Sequence, residues 1–243
     1  MEAKLPVRSL TSAGQYRTLL ETGPVSFLRS FADSPHVEKV REIQSLLEEE
    51  LDKVERGFIK IEEEWISPQD QAQFKILTES RIQLLKMQAA SRGGNPNSMI
   101  AAMREYEVIE ENFYGTPAFP PALESALQMI PALGNRLQGM LRDVEYRNAE
   151  WERNKATLDE IARAQVEAAR QREEDNYQAG LEADKKAGIK WVRLNPRSKS
   201  SIENYLSLAS TELKRLRNYN AEELKRQACL LVEADELIAK NNY

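Results

Sequence analysis

Histidine and cysteine are almost missing from this chain: His36 and Cys229 are the only ones in 243 residues. One cysteine forms no internal disulfide, and without a CxxC pair there is no thiolate zinc site, so an extracellular disulfide framework is excluded and a reducing compartment is expected. A Ser–His–Asp or Cys–His set would have to run through His36, and a ferritin-like site built on Glu-x-x-His would need more than one histidine. Dinucleotide-binding and P-loop glycine spacings are absent, and Gly93-Gly94-Asn95-Pro96 has no Gly-Lys-Ser/Thr after it, so it reads as a turn. The expectation is a chain that is no enzyme and that holds neither metal nor cofactor.

Ten glycines and ten prolines are few for this length, and long apolar runs are lacking. No stretch approaches the roughly 18 apolar residues of a membrane span. The opening MEAKLPVRSL lacks the apolar core of a signal peptide, so a cytoplasmic chain, or one inside an assembled particle, is expected. What is present is alanine, leucine, glutamate, lysine and arginine, the composition of long helices. The expected fold is all-α: an elongated helical bundle with antiparallel coiled-coil hairpins and one long helix.

The strongest periodicity lies between Pro35 and Trp65. Val37, Val40, Leu47, Leu51, Val54, Phe58, Ile61 and Trp65 alternate three and four apart, with Gln44 the only polar interruption. About four heptads of a and d positions follow from that spacing. Ser67 with Pro68 then restarts a helix, expected to fold back on 37–65 as a hairpin over 68–90. The glycines and proline of 91–97 break it, and Ser98 is read as the next cap.

The chain thus divides into an N-terminal arm over 1–34, a helical hairpin bundle over 35–114, a proline linker with a long helix over 115–187, and a C-terminal helical segment over 188–243. In the arm, Val25, Phe27, Leu28 and Phe31 suggest a short helix after Gly23-Pro24. Gly115 to Pro121 reads as an extended linker. Pro131 is expected to kink a helix or start one. Leu137, Leu141, Val144, Trp151 and Leu158 keep heptad-like spacing beyond it, and a helix over 131–187 would extend about 85 Å at about 1.5 Å per residue. Ser200 with Glu203, and Asn220 with Glu223, make two capping boxes in a C-terminal stretch that reads as either one helix or two.

Charge is uneven although the net is only −5. Lys185, Lys186, Lys190, Arg193, Arg197, Lys199, Lys214, Arg215 and Arg217 face only Glu203 and Glu212 in their segment, a local balance of +7, with Trp191, Tyr205 and Tyr219 interleaved. Basic residues with aromatics can hold phosphate backbones or anionic lipid, so these cations and Trp191 are candidate anion-binding residues. The simpler expectation is that this basic hinge meets acidic helix surface, such as the segment 38–64 with its local balance of −5.

Helices this extended cannot bury a seam against themselves. The expected role is therefore a structural or scaffolding subunit of a larger assembly, such as a virus or phage particle, a secretion apparatus or a cytoskeletal complex. It would oligomerise or bridge protein partners through its seams, with nucleic-acid binding or a membrane-surface helical dimer as alternatives and no small-molecule substrate. Strands within 37–65, or a self-contained globule that covers these seams fully inside one chain, would remove the basis of that role.

Overall fold

A computed structural model describes residues 9–241, which are almost wholly α-helical apart from one two-stranded hairpin. The described residues pack as two compact units. One gathers those up to Ile82 with those from Ile238 onward, and the other spans Gln83–Leu237. The division falls inside the helix Lys75–Ser91, and not at the proline-rich stretch after residue 114.

The first unit starts with α1 (Ala13–Leu20), whose N-cap Ser12 and Gln15 satisfy each other's backbone N–H. No break occurs at Gly23-Pro24. A π-helical stretch over Glu21–Val25 carries the chain through Pro24 into α2 (Ser26–Ser30), since widening the helix locally accommodates a residue that has no N–H to give. α3 (Val37–Glu55) lies against α1, with Tyr16, Leu20 and Leu47 buried between them and Ile43, Leu51 and Val54 packed alongside. The expected partnership of this seam with 68–90 is therefore corrected: α1 is its main partner.

The seam also ends earlier than its spacing implies. Phe58, Ile61 and Trp65 are not helical, because α3 stops at Glu55 and Gly57 takes a φ of +86°, a left-handed conformation that closes a helix and that glycine adopts without strain. Beyond it β1 (Ile59–Ile61) pairs antiparallel with β2 (Glu64–Ile66), Ile59 opposite Ile66 and Lys60 opposite Trp65. Ile61 and Ile66 are buried, while Glu62 turns at a φ of +57°. The segment IKIEEEWI satisfies period two as well as period 3.5, and β-branched Ile59, Ile61 and Ile66 favour the strand. α4 (Pro68–Gln73) follows, with Ser67 as its N-cap and Pro68 in its first turn, and then α5 (Lys75–Ser91).

The second unit is built on α6 (Pro96–Asn112), α7 (Phe119–Ala156) and α9 (Lys199–Leu216). Asn95 caps α6, with Ser98 returning the bond to the Asn95 N–H, so the cap lies three residues before the expected one. The stretch after residue 114 is no extended linker. Thr116 and Phe119 close tight turns, Ala118 and Phe119 are buried, and Pro120 and Pro121 sit in the first turn of α7, where a missing N–H costs nothing. α7 continues through Pro131 for 38 residues, about 57 Å.

One helix over 131–187 does not form. Thr157 caps the end of α7 by donating to the Asn154 carbonyl, Leu158 lies in the turn, and the Asp159 carboxylate accepts from the Ala162 N–H to start α8 (Glu160–Lys186). Leu158 is thus no seam residue. Leu137 and Val144 are buried and Leu141 is packed beside them, so α7's seam lies in the apolar core shared with α9, whose Ile202, Tyr205, Ala209 and Leu216 are buried there too. The C-terminal stretch is two helices, α9 and α10 (Ala221–Asn241). Ser198 and not Ser200 caps α9, and Asn220 accepts from the Glu222 and Glu223 N–H groups at the start of α10.

These positions separate a core seam from a turn. Leu137→Ala should cost about 2–5 kcal/mol of unfolding free energy, and Leu158→Ala about 1 kcal/mol or less, in parallel denaturant titrations. Equal losses at the two sites would mean that α7 and α8 form one continuous seam.

Candidate functional site

An apolar groove of the first unit lies where α1, the π-helical stretch and α2 meet α3. Leu19, Pro24, Phe27, Phe31, Val40, Ile43 and Leu47 line a groove of about 600 Å³. Its rim is unusually apolar for a surface, with Phe31 59% and Leu19 45% exposed. The Phe27 and Phe31 rings lie 5.2 Å apart. The walls are pinned by polar contacts: the Tyr16 hydroxyl donates to Glu50 at 2.8 Å, and Arg17 pairs with Glu55 at 2.7 Å. Of the expected seam residues, Val40 and Leu47 face this groove and Leu51 and Val54 pack beside the core it borders. Ile43 and Leu19 were missed by the sequence reading, which placed Phe27 only in a short helix of the arm. Ile43 was detectable as the residue three after Val40, where Gln44 breaks the assumed register.

The expected basic hinge of the second unit is largely neutralised by acids of its own unit. Lys185 pairs with Glu182, Lys190 with Glu212, Arg193 with Asp184, Arg197 with Glu173, Lys199 with Glu145, and Arg215 with both Glu110 and Glu212. Lys186, Lys214 and Arg217 are exposed and have no carboxylate partner among the described residues. Trp191 is completely buried and packs against Tyr205, so it offers no stacking face, which corrects its place among the anion-binding candidates.

Two carboxylates organise these cations. Asp184, 5% exposed, accepts from the Arg193 backbone at 2.9 Å, the Arg193 guanidinium at 3.1 Å and the Arg104 guanidinium at 2.6 Å, while Arg104 also donates to the Trp191 carbonyl. Burial alone would push the Asp184 carboxyl up, but the bonds from Arg193 and Arg104 hold it below the usual range. Gly180 is part of this arrangement, since a Cβ there would strike the Arg193 guanidinium lying across α8. Glu110 takes a bidentate bond from Arg215, both arms at 2.8 Å, and one from the Tyr219 hydroxyl at 2.9 Å. Burial opposes these bonds, which nonetheless keep its carboxyl below the usual range.

Glu107 behaves in the opposite way. Burial pushes its carboxyl up to about 7, Lys190 pulling it down while Glu111 and Glu212 push it higher, and its Oε1 is buried with no partner among the described residues. Among the described residues no cluster of three metal-ligating side chains occurs, and no helix is long and apolar enough to cross a membrane. Cys229 is exposed on α10, and His36 is an exposed residue preceding α3. Comparison with protein-family models, curated proteins and solved structures finds no match to the chain.

The folded carboxyl of Glu107 titrates above its ordinary value of 4.5. Its neutral form is favoured by folding, so its contribution is fully present below about pH 4.5 and is lost as pH rises through about 7. Glu107→Gln should therefore raise unfolding free energy at pH 8 by on the order of 1 kcal/mol, after allowance for solvent screening. That gain should vanish below pH 5, as read from urea midpoints at both values. A gain independent of pH would show that Glu107 does not change its charge between the two values.

Proposed function

We propose that this chain is a non-enzymatic assembly subunit that takes an amphipathic helix of another copy of itself into the groove between α1–α2 and α3. The observation that carries the reading is the exposed apolar groove itself. Core-type side chains line a trough with two aromatic rings at its edge, which is the usual form of a helix-binding surface. The chain also carries a helix of the right kind. On α10, Leu230, Leu237 and Ile238 are 50%, 60% and 59% exposed, at positions i, i+7 and i+8 of one outward stripe. Groove and stripe are different surfaces, so a contact between them runs head to tail and builds rings or filaments.

This reading is narrower than the one the sequence suggests. The buried α7 seam and the hairpin at 59–66 remove two of the ribbons on which an assembly role rested, and the groove supports it in their place.

The test is the mass of the purified chain by sedimentation across a concentration range. Wild type should exceed a single chain, and Phe31→Glu and Leu237→Glu should each return it to one chain with an unchanged helical spectrum. A monomeric wild type at every concentration overturns the proposal.

A second reading has one observation in its favour. Lys186, Lys214 and Arg217, exposed and without a carboxylate partner among the described residues, suit contact with a polyanion such as nucleic acid. Here a single-stranded oligonucleotide should bind with an affinity that falls as salt rises. Reversing those three charges should abolish binding, and retained binding removes the reading.

A further inference from the structure

The geometry points to a phosphate-binding site between α7, α8 and the segment preceding α9, distinct from the groove and independent of it. Three arginines, Arg147, Arg170 and Arg197, line one cavity of about 180 Å³ together with Asn148, Trp151 and Pro196. No apolar packing requires cations to converge there. Like charges brought together repel, and a bound anion is what relieves that repulsion.

Each arginine is placed but none is fully committed. The Arg170 guanidinium carbon lies over the Trp151 ring, 3.7 Å from its centroid, a cation–π contact that ties this group to α7. Arg147 donates only to backbone carbonyls, those of Met140 at 3.2 Å and Pro196 at 3.5 Å. Arg197 pairs with Glu173 at 2.7 Å, and Arg170 reaches Glu152 at only 4.0 Å. Both carboxylates are more than half exposed, and such surface pairs are weak enough for an anion to replace. Asn148 donates to the Arg197 carbonyl at 3.1 Å, holding that residue's backbone against α7.

The ligand class follows from the shape. A terminal phosphate monoester is a dianion with three free oxygens for three guanidinium forks. The cavity, with Val144 and Trp151 among its lining residues, has room for such a group. Inorganic phosphate and phosphorylated small molecules or side chains share this chemistry. Of the cations singled out from the sequence, only Arg197 takes part. Arg147 and Arg170 lie on helices whose charge is otherwise mixed.

The probe is inorganic phosphate titrated into the full chain, read from the fluorescence change at Trp151 and checked against Trp151→Phe. A Kd of about 1 mM or tighter is expected, weakened about tenfold or more by Arg147→Gln or Arg170→Gln. Arg142→Gln, on α7 but outside the cavity, should leave the Kd unchanged. Phosphoserine, sulfate and a single-stranded oligonucleotide form the other arms. Phosphoserine tighter than inorganic phosphate assigns the site to organic monoesters, and the reverse assigns it to the free ion. Oligonucleotide binding that is lost with Arg147→Gln, or a phosphate response that survives Arg147→Gln with Arg170→Gln, would overturn the assignment. So would the absence of any saturable response in wild type.

Discussion

A single buried carboxylate, Asp184, fixes much of the second unit. It sits near the end of α8, yet its bonds reach Arg104 on α6 and both the backbone and side chain of Arg193 in the segment before α9. A charge this far from water is tolerated only because every approach to it is occupied by a donor. Removing one guanidinium would leave the carboxylate on the other alone, and removing both would leave an unpaired charge in the interior, which typically costs several kcal/mol. The path of residues 188–198, and with it the burial of Trp191, follows from that requirement. Gly180 belongs to the same constraint, because any side chain there would take the space in which Arg193 meets Asp184.

The apolar core of that unit is built in a different way. α7 is the central element, with Leu133, Leu137 and Val144 buried along it and α9 laid against the same face. At the far end, Tyr106, Phe119 and Tyr219 form an aromatic cluster, with Phe119 meeting Tyr219 edge-on at 5.5 Å. The Tyr219 hydroxyl continues into the bond with Glu110, so core and ion network share residues and are not separate layers.

Helix content, the caps at Ser67 and Asn220, and the burial of Leu137 and Val144 were legible in the sequence because they depend on short-range spacing. The hairpin at 59–66 was not, since Ile59, Ile61 and Ile66 fit a strand as well as the tail of a heptad and only Gly57 separates the two. The turn at 157–159 was obscured because Asp159 is one acid among many on a polar stretch, and nothing marks it as a cap except the bond it makes. The prolines at 120 and 121 were read as linker, although the first turn of a helix is where they fit best. The arginine cavity was not legible either. Arg147, Arg170 and Arg197 are far apart in the chain and converge only when α8 folds back along α7.

That folding back has its own consequence. α8 is polar nearly all round, with Asp184 its only buried side chain and Ile161 74% exposed, and it meets the end of α7 through Glu167 with Lys155 and through Arg170 with Glu152 and Trp151. Added salt screens such attachments, whereas strongly excluded salts such as sulfate reinforce the burial of α7 against α9. Ionic strength therefore acts on this one unit in two opposed directions. The tip around residues 150–165 loosens under the same conditions that tighten the core beneath it.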